Sequence, residues 1–141
     1  LDVALACDAR VASETSFFEI PAVRLGILYN PAAVARMRQI LPATTLTRLM
    51  LFGERIEGRH ALEAGIASHI APSGQTAELA KQIGGRLASA PAQALSSTKQ
   101  FLVSLYGVET DVRHWQAVRI ELLGSPERRQ AVDRAKARPG V

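Results

Sequence analysis

The order of its strand-like and helix-like segments constrains the fold of this chain more than any other feature of its sequence. Two runs rich in β-branched or aromatic residues, ARVAS (9–13) and TSFFEI (15–20), predict short strands. From Pro31 onward, proline and glycine divide the chain into segments whose apolar residues recur at helical spacing. The sequence therefore predicts an α/β fold in which short strands precede a mainly helical second half.

The helical segments are delimited by residues that favour helix ends. We predict helices at residues 1–9, from Pro31 to Leu41, at 44–52 before Gly53, at 58–64 before Gly65, at 76–90, from Pro91 to Tyr106, at 108–124, and after Ser125, the expected N-cap. A further short strand is expected between Gly65 and Pro72.

Composition supports a packed domain in a reducing compartment. Apolar residues make up 48% of the 141 residues and aromatic residues only 5%, so the core must consist mainly of small aliphatic side chains. Cys7 is the only cysteine, which excludes an intramolecular disulfide and a metal site built on several thiolates. It lies in an apolar run, and we expect it to be buried. With neither a signal-peptide pattern nor a membrane-spanning apolar stretch, we expect a cytoplasmic protein without a membrane partner.

The net charge of +4 is concentrated at one end of the chain. Residues 1–125 carry 12 basic and 11 acidic side chains, whereas the last sixteen residues carry five basic and two acidic ones. This basic end could contact a phosphate-bearing ligand or an acidic partner, or it could be a solvated helix end whose cations suit the helix dipole. We do not expect nucleic acid as a partner, because no aromatic residues alternate with the basic ones.

The acidic residues and histidines form no familiar catalytic or metal-binding motif. Asp2 and Asp8 are six residues apart and would point in different directions on one helix. Glu19 lies in a predicted strand three residues before Ala22, so these positions should face opposite sides. We expect two histidines on solvated helix faces and one in a strand beside a turn: His60, His114 and, in the strand, His69. No metal site is therefore predicted.

Longer stretches of the sequence resemble the enoyl-CoA hydratase/isomerase (crotonase) family. LDVALACDARVASETSFFEIPAVRLGI (1–27) is similar to the family's succession of a helix, a strand and a second strand ending in a Pro-Glu-x-x-Leu-Gly segment. FGERIEGRHALEAGIASHIAP (52–72) is similar to its later step from an Ala-x-x-x-Gly helix to a strand. The order and spacing of these fragments carry the resemblance.

The resemblance implies a spiral of ββα units followed by a helical C-terminal region that drives trimer formation. On this basis, residues 1–72 form the second half of the spiral core, on the acyl-pocket side, and residues 73–141 form the helical region. Family members bind an acyl-CoA thioester and stabilise its enolate with two backbone N–H groups, each of which contributes roughly 10²–10³ in rate. Because the resemblance covers the family's C-terminal half, we expect a homotrimer or hexamer, and a complementary N-terminal segment as a further partner. Coenzyme A is part of the substrate, and no separate cofactor is implied.

Hydratases of this family use two glutamates, and this sequence differs at both positions. Asp2 stands where the first glutamate lies, and Ala22, after Pro21, stands where the second one lies. The loss of one positioned acid or base costs roughly 10²–10⁴ in rate, so efficient hydration is not expected. The alternative for Asp2 is an ordinary surface carboxylate.

The segment LGILYNP (25–31) resembles the LG-x-P-Y-N segment of methylmalonyl-CoA decarboxylases, which likewise lack the second acid. Tyr29 matches their active-site tyrosine, although Leu28 replaces their proline. A phenol can hold a leaving carboxylate by a hydrogen bond without adding charge. The alternative for Tyr29 is an aromatic residue that closes a turn before a helix. We expect the acyl pocket to include Pro21, Ala22, Leu25, Gly26 and Asn30.

The family's last helix carries aromatic and basic residues that border the CoA site of a neighbouring subunit. Here RRQAVDRAKARPGV (128–141) has no phenylalanine, but Lys136 and Arg138 are expected to contact CoA phosphates. The favoured function is acyl-CoA processing of the enoyl-CoA hydratase/isomerase type. The alternatives are a methylmalonyl-CoA decarboxylase-like lyase and a non-catalytic remnant that folds only against a partner.

Overall fold

A computed structural model describes residues 1–107 and 111–137 and confirms the mixed α/β class. The chain forms two compact units, Leu1–Gln82 and Ile83–Val141. The first unit contains α1 (Asp2–Leu5), β1 (Val11–Ser13), β2 (Phe17–Phe18), α2 (Pro31–Ile40), α3 (Ala43–Met50), β3 (Ile56–Glu57) and β4 (His69–Ala71), with single 3-10 turns at Val23–Leu25 and Gly58–His60. The remaining helices are α4 (Thr76–Ala88), which begins in the first unit, and α5 (Ala92–Ser104), α6 (Val112–Gly124) and α7 (Pro126–Lys136).

Two small sheets join segments that are distant in sequence. β1 pairs with β4 in parallel, with Val11 opposite His69. β2 pairs with β3 in the antiparallel direction, with Phe18 opposite Ile56. A parallel pair needs a long crossover connection, and here α2 and α3 lie between the two paired strands in the chain.

Apolar residues from helices and strands form a continuous core in the first unit. Met37 of α2 and Leu49 of α3 are fully buried, and Leu5 of α1, Ile56 of β3 and Ile66 belong to the same cluster. Burial of each side chain of this size stabilises the fold by roughly 1.5–3 kcal/mol. The core-facing residues of α1, α2 and α3 therefore fix these helices within the unit.

The predicted helix at residues 58–64 is wrong. Gly58–His60 forms one 3-10 turn instead. Gly58 packs so closely that a β-carbon on it would lie 2.0 Å from the carbonyl oxygen of Ser13. Its amide also donates to the carbonyl oxygen of Ser16 at 2.7 Å. Contacts with the turn between β1 and β2, rather than helix propensity, set the backbone here.

α1 is shorter than the helix predicted at residues 1–9, and this difference changes the environment of Cys7. Because α1 ends at Leu5, Cys7 lies beyond the helix and is exposed, so the prediction that it is buried is wrong. Its Sγ lies 3.6 Å from the carbonyl oxygen of Val3, a local contact.

Arg10 links the chain after α1 to the segment before β4. Its guanidinium donates to the carbonyl oxygens of Ile66 at 2.7 Å, Cys7 at 3.0 Å and Gly65 at 3.3 Å. The backbone N–H of Arg10 donates to Ser68 Oγ at 2.8 Å. One side chain therefore satisfies carbonyl groups from two segments that are far apart in sequence.

The second unit consists of helices whose ends match local signals. Asp111 caps α6, and Ser125 caps α7 as predicted, each by accepting a hydrogen bond from a backbone N–H, at 3.0 and 3.1 Å respectively. Phe101 of α5 and Trp115 of α6 pack with their ring centroids 5.2 Å apart. Ile83 is the only buried residue among those described in this unit. None of the described helices is long and apolar enough to cross a bilayer.

Candidate active site

α2 begins with a cap that fixes the residues before it. The side-chain oxygen Oδ1 of Asn30 accepts a hydrogen bond from the backbone N–H of Ala32 at 3.0 Å, and Pro31 occupies the first helical position. Tyr29, directly before the cap, is half-buried against the core of the first unit. The structure therefore holds Tyr29 at the N-terminal end of α2 and gives Asn30, a predicted pocket residue, the role of helix cap.

Asp2 lies at the first position of α1, and its carboxylate is tied to α2. Arg36 Nη2 donates to Asp2 Oδ2 at 2.7 Å, and 32% of the Asp2 side chain is exposed. α1 and α2 pack together, and Leu5 and Met37 belong to one core cluster. Both predicted catalytic residues, Asp2 and Tyr29, are thus anchored to the same helix.

The sequence alone does not show that Arg36 belongs to the candidate site. It lies 34 residues from Asp2, and no local pattern distinguishes it from Arg38, which is exposed on the same helix. The signal in the sequence was the opposite charge of Asp2 and Arg36. It identifies Arg36 as the partner only once α1 and α2 are known to be in contact.

The segment from Pro21 to Leu28 folds back on itself as a turn. The backbone N–H of Ile27 donates to the carbonyl oxygen of Ala22 at 3.0 Å, and Gly26 has a φ of +69°, a left-handed conformation that glycine adopts without strain. Ala22 is only 3% exposed, whereas Leu25 is 68% exposed. The remaining predicted pocket residues of this turn, Pro21 and Gly26, are exposed. The predicted pocket residues therefore share one turn, but Ala22 faces the core and Leu25 does not.

Glu19, the acid nearest to Ala22 in sequence, is engaged in an ion pair. It lies outside β2, so the prediction that it belongs to a strand is wrong. Its carboxylate pairs with Arg24 of the 3-10 turn. Arg24 in turn lies over Gly53, where a β-carbon would be 3.7 Å from Arg24 Cγ. Arg24 therefore holds the Glu19 carboxylate against the 3-10 turn.

The predicted CoA contacts belong to the end of the chain. Lys136, the last residue of α7, is exposed, and Arg138 lies outside the described residues. α5, α6 and α7 line an open, largely apolar pocket of about 500 Å³, whose lining includes Phe101, Trp115 and Arg119. Lys136 is not part of this lining.

The three histidines belong to different elements of the fold. His60 and His114 are exposed as predicted, although His60 is on a 3-10 turn rather than a helix. His69 lies in β4, with Nδ1 2.8 Å from Ser68 Oγ. Within residues 1–107 and 111–137, no three or more His, Cys, Asp or Glu side chains are grouped so that they could hold a metal ion.

The groups tied to α2 define what this site can do chemically. They are a carboxylate, a guanidinium and a phenol, contributed by Asp2, Arg36 and Tyr29. A carboxylate can accept and return a proton, and a phenol can donate a hydrogen bond to a charged oxygen. The Asp2 carboxylate suits proton transfer at a carbon next to a carbonyl group.

Comparison with known proteins identifies the family. The sequence model of the enoyl-CoA hydratase/isomerase family matches residues 1–132. The chain belongs to this family. Among its curated relatives, 2,3-dehydroadipyl-CoA hydratase of Escherichia coli (strain K12) is 33% identical over 101 residues, which cover 72% of this chain and 40% of the relative. (E)-Benzylidenesuccinyl-CoA hydratase of Thauera aromatica is 30% identical over 103 residues, which cover 73% of this chain and 40% of the relative.

Solved structures share the fold of this enoyl-CoA hydratase/isomerase family member. An enoyl-CoA hydratase from Mycobacterium marinum superposes with a TM-score of 0.80 at 23% identity, over 99% of this chain and 58% of that structure. One from Mycobacterium tuberculosis H37Rv superposes with a TM-score of 0.80 at 22% identity, over 99% and 56%. The matched region spans 40% of the length of the curated relatives. The correspondence to the family's C-terminal half stays a prediction.

Proposed function

We propose that this enoyl-CoA hydratase/isomerase family member acts on an acyl-CoA thioester through a stabilised enolate, with Asp2 as the group that moves the proton. The observation that carries the proposal is the 2.7 Å contact between Asp2 Oδ2 and Arg36 Nη2, which holds a carboxylate beside α2. In this step the carboxylate takes the α-proton, and the C–H electron pair moves toward the thioester carbonyl, whose oxygen becomes negative. The names of the curated relatives, both CoA hydratases, support a thioester substrate.

The residue at position 22 decides which reaction we favour. Ala22 carries no ionisable group and is buried, so position 22 offers no second acid for the delivery of water. A single carboxylate can remove a proton from one carbon and return it to another, which shifts a double bond. We therefore expect double-bond isomerisation to be faster than hydration, because a missing acid or base typically lowers a rate by roughly 10²–10⁴.

Turnover of unsaturated thioesters tests this proposal. The purified protein is incubated with 3-enoyl-CoA, and formation of the conjugated 2-enoyl-CoA is followed by its ultraviolet absorbance. We expect turnover by the wild-type protein, a loss of roughly 10²–10⁴ in Asp2→Asn, and normal rates in the control Asp8→Asn. Equal rates for wild type and Asp2→Asn would show that Asp2 is not the base.

A decarboxylase is the second candidate, favoured by the half-buried Tyr29 at the end of α2 and the apolar Ala22. Loss of CO₂ from a malonyl-type thioester leaves the same enolate without needing a base, and Tyr29 could orient the departing carboxylate. CO₂ release from methylmalonyl-CoA should then fall in Tyr29→Phe and stay unchanged in Tyr106→Phe, an exposed control. Absence of CO₂ release by the wild-type protein would eliminate this candidate.

We also propose that the chain works in an assembly, either a homotrimer or hexamer or a pair with a complementary N-terminal segment. The support is the apolar surface that the described residues expose, including Val3 at 83% and Leu28 at 86%. Light scattering after size-exclusion chromatography gives the mass of the assembly, and a thermal shift with coenzyme A reports ligand binding. A monomer that coenzyme A does not stabilise would favour the non-catalytic remnant instead.

A further inference from the structure

We propose that Arg36 is a positioning residue for Asp2: it fixes the orientation from which the carboxylate exchanges a proton with the thioester. This inference rests on the function proposed for Asp2. The guanidinium engages Oδ2 at 2.7 Å, so Oδ1 is the oxygen that we assign to proton transfer. Arg36 need not touch the substrate, because it acts through the carboxylate that does.

The two partners differ in how firmly their backbones are held. Arg36 lies in the middle of α2, next to Met37, and Ala33 and Met37 face the core. Asp2, in contrast, is the first residue of a helix of only four residues, in which Leu5 is the only buried residue. An aspartate at such a place can adopt several rotamers, and the contact with α2 selects one of them. We therefore infer that α2, through Arg36, orients the Asp2 carboxylate on the short helix α1.

The solvent exposure of the Arg36–Asp2 ion pair distinguishes a role in orienting the carboxylate from a role in stabilising the fold. The side chains of Arg36 and Asp2 are 54% and 32% exposed, and ion pairs at such sites contribute little to the free energy of folding. Removing the guanidinium should therefore leave the fold intact. Orientation is more sensitive, because a misplacement of about 1 Å in a reacting group can lower a rate by roughly 10²-fold.

Substitution of Arg36 gives a pattern that a merely structural residue would not produce. In Arg36→Gln we expect kcat for 3-enoyl-CoA isomerisation to fall by about 10–100-fold, with KM and the melting temperature close to those of wild type. Arg36→Lys should recover part of the loss, because an ammonium can pair with the carboxylate but lacks the planar fork. Arg38→Gln, also solvent-exposed on the same helix, is the matched control and should behave as wild type.

A double-mutant cycle tests whether Arg36 acts through Asp2. If it does, Asp2→Asn combined with Arg36→Gln is no slower than Asp2→Asn alone, because the group that Arg36 orients is already gone. Additive losses, or a rise in KM at unchanged kcat, would overturn the inference and indicate direct contact with the ligand.

Two outcomes separate this inference from the proposed function. Wild-type protein without turnover contradicts the function of Asp2 and the role of Arg36 together. Turnover that is lost in Asp2→Asn but kept in Arg36→Gln contradicts the role of Arg36 alone.

Discussion

Gly58→Ala tests the close approach of the Gly58 backbone to Ser13 and Ser16 in the first unit. The added β-carbon would lie 2.0 Å from the carbonyl oxygen of Ser13 and 2.7 Å from Ser16 Oγ. Carbon and oxygen atoms in close contact are normally about 3.3–3.6 Å apart, so the backbone would have to move by roughly 1.3 Å. Such movement is resisted, because the Gly58 amide is bonded to Ser16 and because β3, which pairs with β2, directly precedes Gly58.

The magnitude follows from these contacts. Overpacking of this kind lowers the free energy of unfolding by about 1–3 kcal/mol, and the loss of the Gly58–Ser16 hydrogen bond adds about 1 kcal/mol. We therefore expect a total loss of about 2–4 kcal/mol. For a unit of this size, that corresponds to a fall in melting temperature of about 8–32 °C.

Urea unfolding followed by far-ultraviolet circular dichroism measures this loss. Gly84→Ala is the matched control, because a β-carbon there meets no atom within 4 Å and the residue lies inside α4. This control should gain about 0.5–1 kcal/mol from helix propensity. An unfolding midpoint for Gly58→Ala equal to that of wild type, or shifts of the same sign in both variants, would refute the reasoning.

Three further substitutions test separate features of the chain. Arg10→Ala removes three hydrogen bonds to carbonyl groups and should lower the free energy of unfolding by about 2–3 kcal/mol in urea titrations; an unchanged midpoint would contradict this. Ala22→Glu forces a carboxylate into a site that is only 3% exposed, so we expect a lower melting temperature and no gain in hydration of 2-enoyl-CoA. Efficient hydration by a stable variant would show that the site can open. Lys136→Gln should raise KM for acyl-CoA without changing kcat, in steady-state assays, if the ammonium contacts phosphate; an unchanged KM would remove Lys136 from the CoA site.

Signals that act within a few residues predicted the helix ends. α2 begins at Pro31 as expected, because proline at the first helical position needs no N–H partner. Ser125 caps α7 as expected, because its hydroxyl reaches a backbone N–H three residues on. These arrangements depend on no other part of the chain.

Contacts between distant segments could not be predicted in the same way. β3 has only two residues and exists because it pairs with β2, far earlier in the chain. The helix expected at residues 58–64 has adequate propensity, but the approach of Gly58 to Ser13 overrides it. The exposure of Cys7 likewise follows from where α1 ends, which composition did not reveal.

The candidate site residues come from family resemblance, and their ion-pair partners come from the structure. Family resemblance singled out Asp2 and Tyr29, and the structure ties both to α2. It did not single out Arg36 or the pairing of Glu19 with Arg24, because ion-pair partners depend on which surfaces meet in the folded chain. The roles of Asp2 and Tyr29 stay predictions, whereas their neighbours in the fold became known only from the structure.

Exchange of the α-proton of a saturated acyl-CoA with solvent deuterium tests most directly whether Asp2 moves that proton. The thioester is incubated with protein in deuterated water, and its mass is followed over time. We predict deuterium incorporation by the wild-type protein and incorporation slower by roughly 10²–10⁴ in Asp2→Asn. Equal incorporation by the two proteins, or none by a wild-type protein that binds the thioester, would contradict the role of Asp2.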